Sequence, residues 1–319
     1  MTQPAAESAL TFACGEHRLV GILHRPEQPR RLGVIVVVGG PQYRAGSHRS
    51  FVELGRTLSA AGYAVFRFDY RGMGDSEGEP PGYENVTPDI VSAIDTMRRN
   101  VPELDGIVLW GLCDAVPAIA HTAAAERRVA GVVLLNPWAR TDTSQDATLL
   151  RHYYARRLLQ GDFWRRLAAG RTDWLGLPRL VFGVVRRRFR RIWRGAGGGE
   201  PDTLAARTIR SLTQSGAGIL LVMSGQDLTA REFDHEAEKV PAWSRLRASP
   251  RFRRLDLPDA DHTFSSRTSK TALHRAMIAW LDELDQGLDA PRTVSGGAGA
   301  DAFRRSPACA GQRSRVGDA

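Results

Sequence analysis

Strands alternating with helices along most of the chain predict an α/β fold, a mostly parallel sheet covered by helices on both faces. Three observations carry this. Short β-type runs recur at the spacing of helical crossovers. One of them, "LGVIVVVGG" (32–40), is apolar throughout and ends in glycines, as a strand buried on both faces should be. The chain has 319 residues, 42% of them apolar, enough for one large domain with an insertion.

The elements follow in order. "ALTFACG" and "RLVGILHRP" read as a pair of edge strands, and "HRSFVELGRTLSAAG" (48–62) as a helix with Phe51, Leu54 and Leu58 on one face and Gly62 at its C-cap. "YAVFRFDY" is a strand, "VTPDIVSAIDTMRRN" a helix and "GIVLWGL" a strand. "DAVPAIAHTAAAE" is a helix that tolerates Pro117 in its first turn. Strand "VAGVVLLNPW" (129–138) precedes a basic segment. Beyond it come helix "PDTLAARTIRSLTQSG", strand "GILLVMSGQD", one helix over "AREFDHEAEKVPAWSRLR", strand "RFRRLDLPDA" and helix "TSKTALHRAMIAWLDEL". The domain reading is a core of residues 1–138 and 201–285, a cap over 139–200, and a tail over 286–319. The tail is rich in Gly, Ala, Arg and Ser without apolar periodicity.

The net charge of +9 is unevenly placed: residues 151–194 hold thirteen arginines against Asp162 and Asp173. Interleaved aromatics there, among them Trp164, Trp174, Phe189 and Trp193, leave three readings open. They are a helical lid with a solvated basic face, an amphipathic lid resting on anionic membrane, and a nucleic-acid surface. No recognition motif accompanies the charge to favour the third. Cys14, Cys113 and Cys309 are too few and too scattered for a disulfide framework or metal cluster. The first residues lack a basic segment followed by an apolar run, and no 18-residue apolar window occurs. The expectation is a reduced, cytoplasmic protein, peripheral to the membrane if the basic segment touches it. No metal or organic cofactor is indicated, and the oligomeric state is not readable.

In a sheet of this kind ligands gather beyond the carboxyl ends of the strands. Three motifs fall there: "FDYRGMGDSEG" (68–78), "GLCDA" (111–115), and "SGQD" followed by "DADHTF". They resemble, respectively, the D-x-R-G-x-G-x-S loop, the nucleophile elbow and the acid and histidine positions of the α/β-hydrolase fold, in that fold's chain order. The resemblance spans roughly residues 9–285. With "VVVGGPQYRAGSHRSF", the motifs are similar to the cysteine-bearing α/β hydrolases encoded with bacterial exosortase A systems, which are tied to extracellular polysaccharide production.

The residues themselves suit that chemistry. Cys113 would stand on a tight turn opening a helix, where free N–H groups and the helix dipole favour the thiolate. The competing reading, a small buried core residue, gives way because Asp and His occur in matching positions. His262 would act as base and then protonate the leaving group, with Asp227 orienting the imidazole. His48 is the rival histidine; it and Arg44 could make minor substrate contacts. Asp259 and Asp261 read as turn-forming. The oxyanion hole would take the backbone N–H of Asp114 and one from the loop after the third strand. Pro41 has no N–H, so that donor shifts to Gln42, or to Gly40. Asp114 would oppose thiolate formation if its carboxylate pointed inward, and favour the helix dipole if it faced outward. In "DYRGMGDSEG", Asp69 and Arg71 would hold a tight loop. The expected activity is cleavage of an ester or thioester. Two alternatives are acyl transfer through the same residues and a non-catalytic accessory role in the same system.

Overall fold

A computed structural model of the chain describes residues 6–39, 42–82, 85–139 and 203–288. The cap expected over 139–200 lies outside them except for Ala139, which packs in the core. The sheet has eight strands: β1 (Ala6–Cys14), β2 (His17–Arg25), β3 (Leu32–Val37), β4 (Ala64–Asp69), β5 (Gly106–Leu112), β6 (Val129–Leu135), β7 (Gly218–Ser224) and β8 (Phe252–Leu257). Their spatial order is β1-β2-β4-β3-β5-β6-β7-β8. β2 is antiparallel to both β1 and β4, and every later pairing is parallel.

Strands β3 to β7 are buried at every position, the outcome expected of uninterrupted apolar runs sealed on both faces. Between them run α1 (Ser50–Ala60), α2 (Thr87–Asn100), α3 (Ala115–Ala125), α4 (Leu204–Gln214), α5 (Leu228–Ala237), α6 (Pro241–Arg247) and α7 (Arg267–Gly287). One core lies under α1 and α7, where Leu54 and Leu58 face Leu273, Met277 and Trp280 across Val34, Val108 and Val133. The other lies under α2 to α6, where Ile94, Ile119, Ile209 and Phe233 cover Ile35, Leu109 and Leu221.

The structure corrects three expectations. β2 is an interior strand, because β4 pairs on its far side. The segment 230–247 is two helices: Pro241 has no N–H to give, and Val240 before it is extended (φ −98°, ψ 115°). Helix α7 runs to Gly287, two residues beyond the expected end of the core at 285.

Candidate active site

Cys113 sits between β5 and α3 with φ +61°. A side chain rarely adopts that conformation, which costs on the order of 1–3 kcal/mol unless the surroundings enforce it. Here they do. The Cys113 N–H donates to the Leu135 carbonyl at 2.9 Å, and its carbonyl accepts from Val116 and Trp138 N–H, each at 3.2 Å. The elbow is thereby tied to the end of β6. Gly111 is required for it, since a Cβ there would meet the Ala115 Cβ at 2.8 Å and the Ile119 side chain. Ala115 can replace the motif's second glycine because Gly111 leaves its methyl room.

Asp227 lies three residues beyond β7 and is the N-cap of α5, accepting from Thr229 N–H at 3.0 Å and Ala230 N–H at 3.3 Å. Two backbone donors thus fix a carboxylate whose Oδ2 lies 2.7 Å from His262 Nδ1. Burial alone would raise the Asp227 pKa. The hydrogen bond and charge of His262, with the two backbone donors, hold it below the ordinary carboxylate value. His262 is pushed up to about 10, first by its hydrogen bond to Asp227 and then by one to Cys113, against the opposing effect of burial. The imidazole therefore stands between Asp227 and Cys113.

A buried residue whose role the sequence reading missed supports the histidine loop. Asn136, fully buried at φ +42°, donates from Nδ2 to Ser224 Oγ (2.8 Å) and to the His262 carbonyl (2.9 Å). Its Oδ1 accepts from Ser224 N–H at 2.8 Å. The only sequence signal was a polar residue closing the apolar run "VVLLN". Asp261, expected to form a turn, accepts from Thr263 and Ser265 N–H.

The loop after β3 carries Gln42, which is half-buried; Gly40 and Pro41 lie outside the described residues. Two residues on, Arg44 is clamped. Its N–H donates to Asp69 Oδ1 at 2.6 Å, and its guanidinium pairs with Asp69 and Asp75. Its carbonyl accepts from Arg67 Nη1 at 2.6 Å. Arg67 is itself buried in β4, donating Nε to His24 Nε2 at 2.8 Å. Burial pushes Arg67 down to about 10 and His24 to about 4, so His24 is neutral and accepts. Arg44, expected as a substrate contact, has its guanidinium occupied by this clamp. His48 is exposed, at φ +51° in the turn before α1. Arg71 forks onto Asp89, so Asp69 and Arg71 both hold the glycine loop.

Asp114 turns toward the loop after β3: a Cβ on Gly39 would strike its Oδ1 and approach the Leu112 carbonyl at 2.8 Å. Its charge, after burial, is the next cause that raises Tyr70, to about 12. Among the described residues no three His, Cys, Asp or Glu side chains gather as metal ligands would.

Strand order, antiparallel β2 and the strand–elbow–helix at Cys113 are those of the α/β-hydrolase fold. The sequence profile of the serine aminopeptidase S33 family matches residues 30–174, with cysteine at the elbow here. Over 78 residues the chain is 36% identical to lysophosphatidylserine lipase ABHD12 of Gallus gallus and 49% identical to that of Danio rerio. Those matches span 24% of this chain and only 19% of the relatives' length. The Pyrococcus furiosus esterase Pf2001 superposes with a TM-score of 0.61 at 15% identity, over 88% of this chain and 91% of that one. A dienelactone hydrolase from Anabaena variabilis gives 0.56 at 15% identity, over 88% and 99%.

Proposed function

We propose that the chain hydrolyses a carboxylic ester or thioester through Cys113, His262 and Asp227. The observation that carries the reading is the 2.7 Å Asp227–His262 hydrogen bond on an imidazole that also faces Cys113. A histidine held by a buried carboxylate faces the sulfur and takes its proton as the sulfur attacks. The sulfur attacks the acyl carbon, the C–S bond forms, and the carbonyl electrons move onto oxygen. That oxygen is met by the Asp114 N–H and by a donor of the Gln42 loop. As the intermediate collapses, the bond to the leaving oxygen or sulfur breaks and His262 gives that atom its proton. Water, deprotonated by His262, then attacks the acyl carbon, and the C–S bond breaks to release the acid. An alcohol in place of water gives acyl transfer with the same atoms.

The lipase and esterase names borne by similar proteins favour ester chemistry. The likeness of three motifs to hydrolases of exosortase A systems favours a substrate connected with extracellular polysaccharide or its export. A purified sample assayed on p-nitrophenyl esters and acyl thioesters should show turnover. Cys113→Ala should reduce it by at least about a thousandfold. Full activity in Cys113→Ala would overturn the reading, and a binding-only accessory role would take its place if neither protein turned anything over.

A further inference from the structure

A cavity of about 30 Å³ lies between the β5 end of the sheet and helices α1 and α7. Its walls include chain neighbours of the site residues: Leu112 precedes Cys113, Thr263 follows His262, and Gln42 stands on the loop of the second oxyanion donor. Leu54, Trp110 and Leu273, all buried, supply apolar wall.

We infer that this cavity receives the acyl chain of the substrate and limits it to about two to four carbons. The inference rests on the acyl-enzyme chemistry proposed for Cys113. Size is the first argument. One ordered water needs roughly 10–15 Å³, so the cavity takes about two or three methyl-sized groups. Charge is the second. Lys270, on the wall, is paired with Glu53 at 2.8 Å, and burial lowers the His274 pKa, so among the described lining residues no unpaired cation calls for an anionic ligand. Order of release is the third. The acyl group stays bonded to sulfur while the alcohol or thiol must depart, so a recess between two helices suits the part that remains.

The test compares kcat/KM for p-nitrophenyl acetate, butanoate and octanoate, and for butanoates of small and large alcohols. In the unmodified protein butanoate should exceed octanoate at least tenfold. Leu273→Ala, which widens the wall, should raise the octanoate-to-butanoate ratio tenfold or more; each methylene in such a pocket is worth about 10–200-fold. Ser50→Leu, at a half-buried lining position, should lower butanoate relative to acetate, and it covers the case in which Leu273→Ala fails to fold. Discrimination between alcohols should not move in either variant. Equal use of octanoate and butanoate, or variants that alter alcohol preference instead, would overturn the inference. Failure of the catalytic reading registers separately, as hydrolysis that survives Cys113→Ala, and overturns both.

Discussion

At the scale of single residues the site is a chain of charges, and its pH response follows. His262 has an ordinary value of 6.5 and is raised to about 10. A group raised in the folded state stabilises the fold fully below its unfolded value, and that contribution fades as pH climbs toward the folded one. The Tm gap between the unmodified protein and His262→Gln should therefore narrow from pH 6.5 to 10. The ring is 36% exposed, so solvent screening keeps the gap modest. A gap independent of pH would contradict the assignment. Asp227 acts in the opposite sense: its contribution is present above the ordinary value of 3.8 and is lost as pH falls through its depressed folded value. Reactivity follows the same geometry. Near pH 7 iodoacetamide should alkylate Cys113 faster than Cys14, which is buried and whose thiol is raised by burial. His262→Ala should slow Cys113 labelling by about tenfold or more, read by peptide mass spectrometry.

At the scale of elements, loops at the ends of β5, β6, β7 and β8 are stitched by buried polar groups, and the stitching sets the geometry. Asn136→Ala would strand the Ser224 N–H and the His262 carbonyl. An unsatisfied buried group costs about 1–3 kcal/mol, so urea unfolding should show a loss of roughly 2–4 kcal/mol. Turnover should drop through kcat more than KM, because the His262 loop loses its anchor. Asn136→Asp, which keeps the acceptor for Ser224, should fall between the two. The Asp69–Arg44–Arg67 clamp does the same for the loop bearing Gln42. Asp69→Ala would leave Arg44 with Asp75 alone and its N–H without its acceptor, at a cost of about 1–3 kcal/mol, measured by the same unfolding experiment.

At the scale of the whole molecule, the excess positive charge belongs to residues 151–194, outside the described part of the chain. Basic residues near an anionic membrane contribute about 1 kcal/mol each, and salt screens the attraction. If this segment rests on anionic membrane rather than forming a lid with a solvated basic face, sedimentation with vesicles containing anionic lipid should show binding that falls steeply with ionic strength. Changing Arg186, Arg187, Arg188, Arg190 and Arg191 to Glu should release the protein while leaving hydrolysis of a small soluble ester intact. No binding at low salt would remove the membrane reading. Among the described residues no helix is long and apolar enough to cross a membrane.

The sequence by itself determined the alternation of strands and helices, because uninterrupted apolar runs such as "VIVVV" and "GVVLL" have no stable place except a strand sealed on both faces. It also determined that Cys113, Asp227 and His262 fall at strand ends in hydrolase order, since that is a matter of chain position. Distance was not in it. Residues 35 positions apart meet at 2.7 Å only because β7 and β8 are neighbours in parallel register. Asn136 reaches Ser224, 88 residues away, because β6 and β7 pair. The role of Arg44 was decided in the same way. From its loop it could face a substrate or the fold, and buried Asp69 beside it fixed the choice, since a buried carboxylate must be paired. Local patterning fixes which elements form; the pairing of distant strands decides which side chains meet.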